Sequence, residues 1–173
     1  MLPDNDTNTA GRSTSAPDLV WIEPGFALGS KPYDYQRSAV ARLGIRAVID
    51  VHGPEAGEAE AWLALGVRLD GVPTPDWVQI PITHFDRVVA LASDALNSDQ
   101  SVLLHCLAGI NRGPTFAAAV LCRRRQIDVD RALAAVKSRR VSAKPTAEQE
   151  QSLRLWYRLR CGKPPSDGPR FDR

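Results

Sequence analysis

The apolar strand Ser101 to Leu104 runs into His105-Cys106-Leu107-Ala108-Gly109-Ile110-Asn111-Arg112 and then straight into a segment that reads as a helix. A strand, a short loop and a helix in that order leave few choices of path. The loop backbone must turn sharply, and the helix N-terminus points back at the strand end. Backbone N–H groups and the positive end of the helix then converge on one point, where a tetrahedral oxyanion can be held. A sulfur sits at the centre of that cradle. Cysteines at helix N-termini beside cationic groups ionise readily and attack as thiolates, so Cys106 is the candidate nucleophile. A planar guanidinium donates two parallel hydrogen bonds to two phosphate oxygens, which a lysine cannot do. Arg112 is therefore expected to hold a phosphoryl group and to stabilise its charge in the transition state. Between the two, Leu107, Ala108, Gly109, Ile110 and Asn111 supply backbone donors. Gly109 suits a backbone that bends tightly or takes positive φ beside a ligand. Pro114 sits where a first helical turn tolerates it, so a helix is expected from Pro114.

A lone cysteine ending a strand is ordinarily a small core residue. Here cysteine, glycine, arginine and helix start occur together, which favours chemistry. His105 has two readings, one in which its ring tunes the thiolate through a hydrogen bond and one in which it is a satisfied core residue at a strand end.

The run resembles the signature loop of the cysteine-dependent protein tyrosine phosphatases, His-Cys-five residues-Arg. Its continuation through Gly113-Pro114-Thr115 is most similar to the dual-specificity branch. Trp21 to Ser30 resembles that family's opening strand pair, Leu43 to Val51 its first central strand, and Val136 to Arg140 with Pro145 its helix near the C-terminus. The similarity covers roughly residues 19–160, and the loop is its only highly specific motif. It implies an α/β fold, a central mixed and mainly parallel sheet flanked by helices in a three-layer sandwich. It also implies hydrolysis of phosphate monoesters, on phosphotyrosine and phosphoserine or phosphothreonine proteins, through a cysteinyl-phosphate intermediate without metal or other cofactor.

Displacing a phosphate ester leaves an alkoxide or phenoxide, so an acid must protonate it and a base must later activate water. One carboxyl group can do both. Val72-Pro73-Thr74-Pro75-Asp76-Trp77 is a proline-stiffened loop after the strand Val67 to Val72, and Asp76 lies thirty residues before Cys106. Members of the resembled family carry their acid on a loop at about that distance, which makes Asp76 the candidate. The other reading is a turn aspartate after proline. Asp70, in or at the end of the strand, and Asp86, in the first turn of the next helix, stand behind it. Trp77 either flanks the pocket or anchors the loop.

Two positions depart from the resembled pattern. The residue after the arginine is usually Ser or Thr, whose hydroxyl steadies the departing sulfur. Here it is Gly113, and Thr115 is the weaker candidate for that role. Asn111 is unusual for the protein-phosphatase branch and resembles the RNA 5′-triphosphatase branch of mRNA-capping enzymes. Its amide is expected to bond within the loop or to face solvent. These departures keep two alternatives open, an RNA 5′-phosphatase and a phosphoprotein-binding pseudophosphatase with weak turnover. A sulfur-transfer or arsenate-reducing enzyme also uses a cysteine in an anion loop, but the latter wants a second thiol at close spacing, and none is present.

At 173 residues and 43% hydrophobic content the chain suits one well-cored domain. The expected division is a disordered segment over 1–17, a catalytic domain over 18–161 and a flexible tail over 162–173. No apolar run approaches the ~20 residues of a membrane span, and the polar N-terminus lacks a secretory pattern. A cytoplasmic monomer acting on phosphorylated proteins, with no membrane partner, is the expectation. The net charge of +2 says little. From Leu121 to Lys144 eight basic residues, Arg140 among them, face only Asp128 and Asp130. Such a run either attracts polyanionic substrates or is a solvated helical face. It lacks interleaved aromatics, which disfavours nucleic acid while leaving 5′-phosphorylated RNA open. Cys106, Cys122 and Cys161 show no disulfide or metal-ligand spacing, Cys122 reads as core, and His52, His84 and His105 are not paired, so no metal is expected.

Strands are expected over 18–22, 26–28, 46–51, 67–72 and 101–105. Helices are expected over 37–43, 58–65, 114–125, 129–139 and 146–160, with Thr146 and Gln149 in capping-box spacing. Phe85, Val88, Val89, Ala92 and Leu96 form one more helical stripe, with Thr83 and Asp86 as its expected capping pair.

Overall fold

The computed structural model describes residues 16–162. The segment expected to be disordered and the expected tail lie, apart from their innermost residues, outside the described residues. All five expected strands form, as β1 (Leu19–Glu23), β2 (Phe26–Ser30), β3 (Ile45–Asp50), β4 (Arg68–Gly71) and β5 (Ser101–Cys106). They make one sheet in the order β1-β2-β5-β3-β4, antiparallel only where β1 meets β2. The central strands β3 and β5 are almost wholly buried, as parallel strands covered on both faces are.

Period-two alternation divides the strand side chains between two cores. Ala27, Ile45, Val48 and Leu103 pack with Val40 of α1 (Arg37–Arg42) and Trp62 of α2 (Glu58–Leu63). Phe26, Leu28, Ala47, Ile49, Val102 and Leu104 face the other layer. That layer holds α3 (Ile82–Asn97), α4 (Arg112–Arg125), α5 (Val129–Arg139) and α6 (Ala147–Arg160). Helices on both faces of a mixed sheet give the expected three-layer sandwich. Every residue of α4 from Arg112 to Cys122 is buried, because the helix lies against the sheet and between its neighbours. Phe116 of α4 meets Phe85 of α3 at 5.0 Å between ring centroids, and Phe85 stacks on Trp156 of α6 at 5.7 Å. Cys122 is core, and its burial pushes the thiol up to about 12. No helix among the described residues is long and apolar enough to cross a membrane.

Three local expectations need correction. α3 begins at Ile82 behind Pro81 with no side-chain cap, so Thr83 is already inside the helix. Asp86 caps nothing. It accepts from Trp156 Nε1 at 2.9 Å and from Arg160 Nε and Nη2 at 3.0 Å each, and Arg160 holds its carboxyl below the usual range. α4 starts at Arg112 rather than at Pro114, which makes the arginine itself the first helical residue. By contrast Thr146 and Gln149 do form the reciprocal cap of α6.

Candidate active site

Strand register sets the floor of the site. Ser30 pairs with Cys106 across β2 and β5, and Asp50 pairs with His105 across β3 and β5. Beyond Cys106 the loop carbonyls are all engaged outward. Leu107 O accepts from Lys31 N at 3.0 Å and Ile110 O from Lys144 N at 2.7 Å. Ala108 O accepts from Arg140 Nη2 at 3.1 Å and Gly109 O from Arg140 Nε at 2.7 Å. With carbonyls turned out, the amide N–H groups of a tight loop turn in and form an anion-binding concavity. The Gly109 N–H lies 3.2 Å from Cys106 Sγ. Gly109 takes φ +66°, and a Cβ there would fall 2.5 Å from Arg140 Nη2 and 2.6 Å from Gly29 O. Only glycine fits. Leu107 and Ile110 expose their side chains at the rim.

Arg140 braces the loop, and sequence reasoning missed it. It stood in a basic run expected to be surface, yet it is buried, and besides the two loop carbonyls it grips Asp18 through Nη1 at 3.0 Å and Nη2 at 2.7 Å. That bond holds the Asp18 carboxyl below its usual range. A planar fork of donors explains why arginine serves here. Nothing local distinguishes it from exposed Arg139.

Arg112 is likewise buried. Nη1 donates to Thr74 O at 2.7 Å, while Nη2 meets Asp76 Oδ2 at 3.0 Å and His52 Nδ1 at 3.3 Å. Its Nε has no hydrogen-bond partner in the structure. A buried guanidinium N–H left unpaired at the end of the Cys106 loop suits a phosphoryl oxygen. The chain thus brings Cys106, Arg112 and Asp76 to one place. Asp76 Oδ1 also accepts from Trp77 N at 3.1 Å. Trp77 is 69% exposed in a left-handed backbone conformation, φ +60°. It flanks the site and does not anchor the loop by burial. Asp70 pairs with Arg68 and Asp86 with Arg160, so neither stands on Arg112.

His105 is fully enclosed. Its Nδ1 lies 3.4 Å from Cys106 O and 3.7 Å from Asp50 Oδ1. Burial pulls its pKa below the ordinary value, with the Asp50 charge opposing. Thr115 does not fit the role of tuning the thiolate, because its hydroxyl hydrogen goes to Asn111 O at 2.8 Å, within the helix. Asn111 is partly exposed and its amide N–H does not bond within the loop. Its Nδ2 donates to Lys144 O at 2.6 Å and ties the loop to the segment after α5. At Gly113 a Cβ would lie 3.5 Å from Cys106 Sγ and 3.0 Å from Leu28 Cδ1, so a side chain there would stand between the sulfur and the core. Among the described residues no three His, Cys, Asp or Glu side chains gather as metal ligands would.

Sequence and structure comparisons point the same way as this geometry. The chain is 29% identical over 149 residues to dual specificity protein phosphatase 12 of Mus musculus, which covers 86% of this chain and 44% of that protein. It is 27% identical to dual specificity protein phosphatase 22-B of Danio rerio over 76% of this chain and 70% of the relative. The chain therefore spans less than half the length of the phosphatase 12 relatives it matches. The crystal structure of Tk-PTP in its active form superposes with a TM-score of 0.74 at 25% identity, covering 81% of this chain and 96% of that one. The model of the dual specificity phosphatase catalytic domain matches residues 28–159, from β2 to near the end of α6, with the whole Cys106 loop inside it. That match takes in most of the chain, and the chain belongs to the dual specificity phosphatase catalytic-domain family.

Proposed function

We propose that this chain hydrolyses phosphate monoesters on tyrosine and on serine or threonine of phosphorylated proteins, without a metal, through a cysteinyl-phosphate intermediate. Cys106 Sγ attacks phosphorus, the loop amides and Arg112 hold the equatorial oxygens, and Asp76 gives a proton to the leaving oxygen. The sulfur then leaves as water, deprotonated by Asp76, attacks phosphorus. The observation that carries this reading is that Asp76 pairs with a buried guanidinium that keeps an unpaired N–H, at the helix start where Cys106 Sγ also lies. Turnover of an aryl phosphate in the presence of a chelator tests it, and absence of turnover rejects it. A phosphopeptide panel reads the side-chain preference.

The acid step gives the first expected result. Asp76→Asn should slow hydrolysis of alkyl phosphates, whose leaving groups need a proton, by roughly 10²–10⁴. Aryl esters with acidic leaving groups should lose much less. A small and equal effect on both would remove Asp76 from the role.

Gly113 favours a second reading, slow release of the phosphoenzyme, because the position that would present a hydroxyl to the sulfur carries none. A hydrogen bond to a developing thiolate is worth roughly 1.5–3 kcal/mol, about tenfold or more in rate. Stopped-flow turnover of an aryl phosphate should show a burst ahead of a slower steady state. Gly113→Ser should shrink the burst and raise the steady state about tenfold, once Leu28 shifts to admit the side chain. No burst, with an unchanged rate in Gly113→Ser, would make the glycine a packing requirement against Leu28. The RNA 5′-phosphatase reading stands as the alternative that turnover of a 5′-triphosphorylated RNA would separate from this one, and one N–H of Asn111 already goes to Lys144 O.

A further inference from the structure

The fold gathers around one carboxylate two histidines that stand fifty-three positions apart in the chain. Asp50 closes β3, and its Oδ1 accepts from His52 N at 2.7 Å and Gly53 N at 3.0 Å. This turn fixes the backbone at His52 and carries its ring to Arg112, where Nδ1 lies 3.3 Å from Nη2. A guanidinium only donates. Nδ1 is therefore the acceptor, which places the ring proton on Nε2.

The consequence appears when the hydrogens of Arg112 are counted. Nη1 is tied to Thr74 O, Nε is unpaired, and Nη2 has two acceptors, Asp76 and His52. Gripping a phosphoryl group through two parallel N–H groups takes Nε and one hydrogen of Nη2. Asp76 is the acceptor that gives way, because its place during catalysis is beside the ester oxygen. His52 stays. We infer that His52 is a positioning residue for Arg112, whose imidazole holds the second hydrogen of Nη2 and so fixes the guanidinium plane while Asp76 exchanges for substrate. This rests on the phosphatase reading above and adds to it a residue outside the signature loop and the acid loop.

The test uses the full chain and three substitutions. His52→Asn sets an amide oxygen where Nδ1 stands and cannot protonate, His52→Ala removes the acceptor, and His52→Gln carries its oxygen one carbon too far. With all variants assayed at one fixed pH, kcat/KM for an aryl phosphate should fall about tenfold in His52→Ala and in His52→Gln, and return to within about threefold in His52→Asn. An unchanged His52→Ala enzyme, or a His52→Asn enzyme no better than His52→Ala, overturns the inference. Sulfate binding, followed by tryptophan fluorescence in a Cys106→Ser background, is read on the same substitutions without any turnover. Sulfate affinity that falls in His52→Ala and recovers in His52→Asn upholds the inference, and affinity indifferent to both overturns it. If sulfate follows that order while no phosphate ester is turned over, the phosphatase reading has failed and the contact with Arg112 stands.

Discussion

Cys106→Ser should lower turnover of an aryl phosphate by at least about 10⁴-fold, the scale of loss when a covalent nucleophile is removed from an otherwise intact site. A hydroxyl in the same place is too weakly acidic to be ionised by the same loop, and nothing described touches Sγ that would act as its base; its hydrogen-bonding neighbour is the Gly109 N–H. Anion binding should survive. The carbonyl anchors of the loop run to Lys31, Arg140 and Lys144, and the guanidinium anchor runs to Thr74, none of them through the sulfur. The substitution therefore separates chemistry from binding: sulfate affinity close to the parent's together with lost turnover is the expected pair of results. A serine variant that keeps a few per cent of the activity would move the nucleophile elsewhere, and one that loses sulfate binding as well would mean that the sulfur holds the loop together.

Much of this site was legible because its parts are local. The strand, glycine, arginine and helix start are contiguous, so their spacing alone fixes where the amides and the guanidinium fall. The strands were legible for a similar reason, since β-branched and apolar runs bounded by turn residues state their own length. What local pattern conceals is partnership across the chain. Asp86 had the spacing of a capping residue behind Thr83, yet its partners are Trp156 and Arg160 of α6, and Pro81 already terminates the preceding loop. Arg140 read as one cation among eight. Charge is visible in a sequence, but burial against the carbonyls of Ala108 and Gly109 is decided by where α5 ends relative to β5. His52 and Asp50 gave no spacing signal because the parallel register, which sets Asp50 beside His105, is a property of the sheet.

Thr115 and Asn111 show a finer limit. Residue type and position put both near the sulfur, and hydrogen-bond geometry sends both elsewhere. A threonine in a first helical turn has the carbonyl four residues back within reach, and this competes with any more distant acceptor. The Asn111 amide finds the Lys144 carbonyl because Lys144 N is already bound to Ile110 O, so the two segments run side by side. Gly113 lies between them, and the Thr115 hydroxyl hydrogen and an Asn111 N–H both point to carbonyls rather than to Cys106 Sγ.

Arg112→Lys should cost about 10³–10⁵ in kcat, the range that a transition-state arginine contributes to phosphoryl transfer. The charge is kept, so the loss reports geometry. In the parent the guanidinium spans Thr74 O, Asp76 Oδ2 and His52 Nδ1 at once while Nε remains available. An ammonium is a point donor on a flexible stem and cannot hold Thr74 O and His52 Nδ1 together with two phosphoryl oxygens once Asp76 has given way. Thr74 is buried, and a buried carbonyl left without its donor costs about 1–3 kcal/mol. For a domain of this size that lowers Tm by a few degrees. The two losses are separable. Thermal melting should place Arg112→Lys only a few degrees below the parent, so at an assay temperature well under both transitions the enzyme is folded and the missing rate belongs to the site. Retention of more than about a tenth of kcat would mean that charge alone stabilises the phosphoryl group, and that the fork held by Thr74, Asp76 and His52 serves packing instead of catalysis.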